Sequence, residues 1–231
     1  MNPDLSLDLG ERFATLEERQ KRALLYAGTV ANTLVVLLLV FAVLSNRTPT
    51  RVWLFPVVWF AVGTWALVRT SPTPSSQGTK RAAGAIAVGY FAVLAFVGGL
   101  VGPAGPVAAG LTVQVTQLPP GWNPSILYAG ETLRVALVPY TAFGYAVLSY
   151  LVYATAVEAR GAVAGGLLGL FSCVSCTLPV VASLVGGFVG GGAALAAAAS
   201  TQSYGIGTAV FVVTVLLLSL RPGFDWLRQR L

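Results

Sequence analysis

Long continuous apolar runs, separated by short polar stretches rich in proline and glycine, make up most of this chain. The runs extend from about Ala23 to Ser45, Val52 to Val68, Ala82 to Val101, Leu133 to Val157 and Gly161 to Val185, and a last one ends near Leu220. Each is long enough for a helix that crosses the hydrocarbon of a bilayer, which takes roughly 17–25 residues. Because the runs are continuous rather than alternating, they predict helices and not the period-two strands of a lipid-facing barrel. The expected fold class is therefore all-α, a polytopic integral membrane protein.

The polar stretches divide the chain. Residues 1–22 form a cytoplasmic or interfacial segment with Leu9, Phe13 and Leu16 at helical spacing. They are no signal peptide, because Asp4, Asp8, Glu11, Glu17 and Glu18 precede the first run where a basic region belongs. Within that run, Asn32 and Thr33 are expected to face other helices. Residues 102–132 read as an extracytoplasmic loop. In it Leu111 to Thr116 alternates as a short strand would, and Pro119-Pro120-Gly121-Trp122-Asn123-Pro124 cannot be helix. A tryptophan among prolines there suggests a lid at the membrane face. The membrane domain spans 23–220, and 221–231 is a cytoplasmic tail.

The number of crossings turns on the Gly/Ala-rich stretch Gly186–Ser203. Ala193 to Leu220 reads either as one long helix or as a half-helix (Ala193–Ser200) followed by a span from Tyr204. With six crossings and both termini cytoplasmic, the inner side holds Arg12, Arg19, Lys21, Arg22, Arg69, Lys80, Arg81, Arg160, Arg221, Arg228 and Arg230. The outer side keeps Arg47, Arg51 and Arg134, a bias of 11 to 3. A seventh crossing reduces it to 8 against 6. Basic residues gather on the cytoplasmic side, so six transmembrane helices are expected, with Gly186–Ser203 as a re-entrant piece. The location is a cell membrane.

Composition agrees and removes several chemistries. The chain is 56% hydrophobic and 10% charged, against about 25% charged in soluble domains. Its net charge of +6 flanks the spans, so it reports orientation rather than nucleic-acid binding. There is no histidine, Met1 is the single methionine, and all eight acidic residues fall outside the expected spans. That leaves no histidine-held haem or zinc, no intramembrane carboxylate relay and no methionine copper ladder. What remains is two thiols, some hydroxyls and freed backbone groups.

Both cysteines stand together, in Leu170-Phe171-Ser172-Cys173-Val174-Ser175-Cys176-Thr177-Leu178-Pro179. On a helix Cys173 and Cys176 share a face. Pro179 removes the bond to the Ser175 carbonyl and breaks the fifth helix there, and a half-helix starting at Pro179 would aim its positive end at Cys176. Three readings follow. The thiols pack as small apolar residues; they cycle between dithiol and disulfide, which needs Cα atoms about 5.5–6 Å apart; or they hold a soft ion such as Cu(I) or Hg(II). A weak internal repeat bears on this. Pro56-Val57-Val58 with Val62, Gly63 and Trp65 matches Pro179-Val180-Val181 with Val185, Gly186 and Phe188, and it places Thr50 and Trp53 opposite Cys173 and Cys176. The halves run in opposite directions, as an inverted three-plus-three repeat requires.

Over this motif alone, Gly169-Leu170-Phe171-Ser172-Cys173 through Leu178-Pro179 resembles the membrane thiol-electron transporters of the CcdA/DsbD type. That family carries one redox cysteine in each of two inverted three-helix halves, whereas here both lie in one half. Cys173-x-x-Cys176-x-x-Pro179 is also similar to the mercuric-ion membrane transporters of the MerC and MerT type, whose first helix has a cysteine pair just before a proline. The first resemblance implies a thiol redox relay or redox-linked assembly factor with a thiol–disulfide partner protein, its site Cys173, Cys176 and Pro179. The second implies soft-metal binding or transport on Cys173 and Cys176. A non-catalytic accessory subunit of a membrane complex is the third expectation. None calls for a resident organic cofactor.

Overall fold

The computed structural model describes residues 17–72, 75–103, 110–115, 118–159 and 193–220. Helix α1 (Glu18–Ser45) starts five residues before the apolar run. Glu18 in its first turn complements the positive helix end, and Lys21 Nζ donates to Glu18 Oε1 at 3.1 Å. The helix stops where Asn46 turns left-handed at φ 51° and its N–H closes on the Ala42 carbonyl. Asparagine is among the few residues that tolerate this conformation.

A 3-10 turn (Arg51–Leu54) then leads into α2 (Phe55–Arg69), and Pro56 sits in the first turn of that helix. Its missing N–H breaks no bond there, so this proline opens a helix rather than interrupting a span. Helix α3 (Gln77–Val97) begins at Ser76, whose hydroxyl accepts the Thr79 N–H at 3.3 Å. It ends at Gly98-Gly99, where Gly99 takes φ +78°.

Between α3 and the next helix the chain builds a sheet, and here the all-helical expectation fails. Strands β1 (Val101–Pro103), β2 (Gly110–Gln114), β3 (Ser125–Ala129) and β4 (Leu133–Leu137) pair antiparallel in the order β1-β4-β3-β2. The alternation at Leu111 to Thr116 marked β2, but β4 was hidden in what read as the start of a span. Its register shows why. Leu111, Tyr128 and Val135 lie in one row across the sheet, and Val113, Ile126 and Leu137 in the next. One face is apolar throughout, so β4 adds its side chains to a run that helix α4 (Pro139–Ala159) simply continues. Pro139, at the first helical position, marks the true boundary.

Helix α5 (Ala193–Leu220) is one unbroken helix of 28 residues. This corrects the half-helix reading, and it replaces residues 193–203 of the expected re-entrant piece by regular helix. Alanine, which dominates the first turns, is the best helix former. Helix α2 packs against α1, α4 and α5, and α3 packs against α4.

The chain is thus mostly helical with one small sheet. Among the described residues, four helical stretches (Glu18–Ser45, Arg51–Arg69, Gln77–Val97 and Pro139–Glu158) are long and apolar enough to cross a bilayer, and Gly207–Ser219 is a shorter apolar stretch. These lengths accord with a membrane location. Asn32 and Thr33 do not face another described helix; both are exposed on α1.

Candidate functional site

Cys173, Cys176 and Pro179 lie outside the described residues, as does the stretch 160–192 that holds them. What the described residues bring together is an aromatic cluster near the sheet end of the bundle, centred on Trp59 of α2.

The Trp59 ring stacks on Phe211 of α5, with centroids 4.1 Å apart and planes 2° from parallel. Its indole N–H donates to the Thr208 hydroxyl, 3.0 Å away and one turn earlier on the same helix. Tyr140 of α4 meets Trp59 edge-on at 5.4 Å, and Tyr145 lies at 6.1 Å. Gly144, between those tyrosines on α4, has no room for a Cβ, which would run into the Trp59 ring. Gly63 is similarly filled by Phe143, and Gly98 by the Tyr145 side chain. Glycines at three contacts thus let large rings reach the helix backbones, the close-approach device of membrane helices.

The turn between β2 and β3 closes the sheet end of this cluster. Trp122 lies 4.7 Å from Tyr140, ring centre to ring centre. Gly121, at φ +92°, rests on Pro56, and its carbonyl accepts the Tyr140 N–H at 3.2 Å. The Asn123 side-chain amide donates to the Leu118 carbonyl at 2.6 Å. The proline-rich stretch read as a lid therefore sits on the ends of α2 and α4. At the other end of α2, Tyr150 donates to the Thr70 carbonyl at 3.2 Å and Arg69 stands 5.1 Å over the Trp65 ring.

Chemically the cluster is a plug. Trp59 is 6% exposed and Tyr140 4%. Hydroxyls of the bundle bond the backbone one turn back, as Ser149 does to Tyr145 and Thr155 to Leu151, both at 2.8 Å. Among the described residues no three His, Cys, Asp or Glu side chains come together. An apolar recess of about 280 Å³ lies apart from the plug, between α1 and the 3-10 turn, lined by Val35, Leu38, Leu39, Pro49, Trp53 and Leu54 with Thr50 and Arg51. It opens on the outer surface of the bundle and holds no acid–base pair.

The link between Trp59 and Thr208 left no sign in the sequence. The two are 149 residues apart, and no local pattern joins them. Buried tyrosines take ring or hydrogen-bond partners, and Tyr140, Tyr145 and Tyr150 have the contacts just given.

A family model covering residues 9–225 matches the chain, and that family is described as one of unknown function. Neither a curated protein nor a solved structure matches it.

Proposed function

The chain belongs to DUF7546, a family of unknown function, and we propose that it is a six-span membrane protein whose reactive centre is the Cys173–Cys176 pair before Pro179, working as a thiol redox relay or redox-linked assembly factor. One observation carries this reading. The weak repeat sets Thr50, Trp53 and Pro56 opposite Cys173, Cys176 and Pro179. In the described half, the Trp53 N–H bonds the Thr50 carbonyl at 3.0 Å, and Pro56 opens a helix directly afterwards. A turn closed in that way holds its first and last Cα within 7 Å, inside the range a disulfide spans. It also ends at the positive end of a helix, which favours a thiolate.

Composition supports the same centre. With no histidine in the chain and no acidic residue inside the expected apolar runs, the thiols are the strongest nucleophiles at membrane depth. Closing the pair releases two protons and two electrons, and a partner's disulfide that takes them becomes two thiols.

Lengths support the count of six. Residues 160–192 number 33, enough for one span of about 20 residues but not for two with a turn. Helix α5, unbroken over its 28 residues, is long enough to supply the sixth. Both termini are then cytoplasmic, with the 11 to 3 charge bias preserved.

Alkylation of native membranes with and without prior reduction tests the centre, beside Cu(I) and Hg(II) binding, for parent, Cys173→Ser and Cys176→Ser. A redox pair shows thiols that label only after reduction, and neither single variant closes an internal disulfide. A metal pair labels freely and loses ion binding in either variant. A parent that labels fully without reduction and binds neither ion sinks both chemistries and leaves packing.

A further inference from the structure

Helix α1 touches the described bundle along one side only. Ala23 and Leu38 are buried on it, and Phe41 meets Trp53 edge-on at 5.4 Å. The opposite side presents Leu25, Gly28, Asn32, Val36 and Val43, at helical spacing and all exposed. A Cβ built on Gly28 would meet nothing within 4 Å.

Asn32 is the anomaly on that side. It stands nine residues past Ala23 and thirteen before Ser45, about 14 Å and 20 Å along the helix. Both distances put it inside a hydrocarbon layer of about 30 Å. A carboxamide has two donor hydrogens and an acceptor oxygen, and leaving them unmatched in hydrocarbon is costly. Thr29 on the same helix bonds its own backbone, donating to the Leu25 carbonyl at 2.8 Å. Asn32 has no hydrogen bond among the described residues.

We infer that this side of α1 is a self-association face, on which two copies of the chain pair their α1 helices in parallel through Asn32. The carboxamide is its own complement. Around a two-fold axis each Asn32 donates to its counterpart and accepts from it, at a depth that symmetry makes identical. Gly28, one turn away, lets the two backbones approach. No charge lies between Arg22 and Arg47, so nothing on the paired faces repels. The inference rests on the reading of α1 as a membrane span.

The full chain in lipid nanodiscs or liposomes, labelled for energy transfer between copies and titrated by protein-to-lipid ratio, tests it. The parent associates, Asn32→Gln retains association, and Asn32→Leu weakens it about tenfold, the size of one or two intramembrane amide bonds. Gly28→Ile weakens it as well. A parent that stays monomeric at every density, or an Asn32→Leu variant that associates as the parent does, overturns the inference. So does an Asn32→Leu chain that is a less heat-stable monomer beside a monomeric parent, which would assign the amide to a contact within the chain such as residues 160–192. Alkaline extraction of the parent from membranes sinks the membrane reading itself and is scored separately.

Discussion

Helices α1 and α4 both read as membrane spans, yet they stand in opposite relations to the fold. Helix α1 is the more apolar of the two and the less buried, with only Ala23 and Leu38 covered. Helix α4 carries four tyrosines and several hydroxyls, and Tyr140, Gly144, Val147, Leu148, Ser149, Leu151, Val152, Ala154 and Val157 are all buried on it. In water this order would be inverted, because burial there follows apolarity. In lipid the surroundings are as apolar as leucine, so the interior is chosen by fit and by matched polar groups. Apolarity marks what a span may show to lipid; glycines, rings and hydroxyls mark what it packs.

The sharpest way to break that comparison is to make one change on both helices. Leu151 is fully buried and Leu44 is 81% exposed. Leu151→Ala should cost about 2–5 kcal/mol in thermal unfolding from nanodiscs, while Leu44→Ala should stay within about 0.5 kcal/mol. Equal costs would mean that α1 is packed as tightly as α4. Next in size is Gly144→Val, whose side chain must displace the Trp59–Phe211 stack. A loss of about 1–3 kcal/mol is expected, with altered tryptophan fluorescence. Gly84→Val on α3, where a Cβ meets nothing within 4 Å, is its silent control.

A smaller effect tests the lid. Gly121→Ala places a Cβ at φ +92° and against Pro56, and should cost about 1–2 kcal/mol with faster proteolysis between β2 and β3. Smallest is the coupling of Trp59 to Thr208. A double-mutant cycle of Trp59→Phe and Thr208→Val should return about 0.6–1.7 kcal/mol. A value near zero would reduce the hydrogen bond to a by-product of ring stacking.

Those predictions also show what could be read before folding. The apolar runs located α1 and α3 to within a few residues, since length and composition decide a span. Two boundaries escaped. Pro56 and Pro139 each stand in the first turn of a helix, and proline there was the available sign. Strand β4 escaped because it runs directly into the apolar run of α4, and β3 because Ile126, Leu127, Tyr128 and Ala129 give no polar–apolar alternation to count. The aromatic cluster was beyond reach for another reason: Trp59, Tyr140 and Phe211 come from three helices, and only tertiary packing selects which rings meet. For Cys173, Cys176 and Pro179 the sequence remains the guide.

The ladder between β1 and β4 has a mechanical consequence. Val101 pairs with Val135 and Pro103 with Leu133, and the Ala136 N–H bonds the Leu100 carbonyl at 2.7 Å. These strands grow from the end of α3 and lead into the start of α4, so the two helices are clasped at one end like tongs. A force that parts them must open the opposite end first, with the sheet as fulcrum. Helix α1, joined to α2 through residues 46–54 at the same end, has no such clasp and, among the described residues, is held by side-chain packing against α2 alone. Amide exchange would register the asymmetry as slow hydrogens at Val135 and Ala136 and faster ones in the first turn of α3, near Lys80.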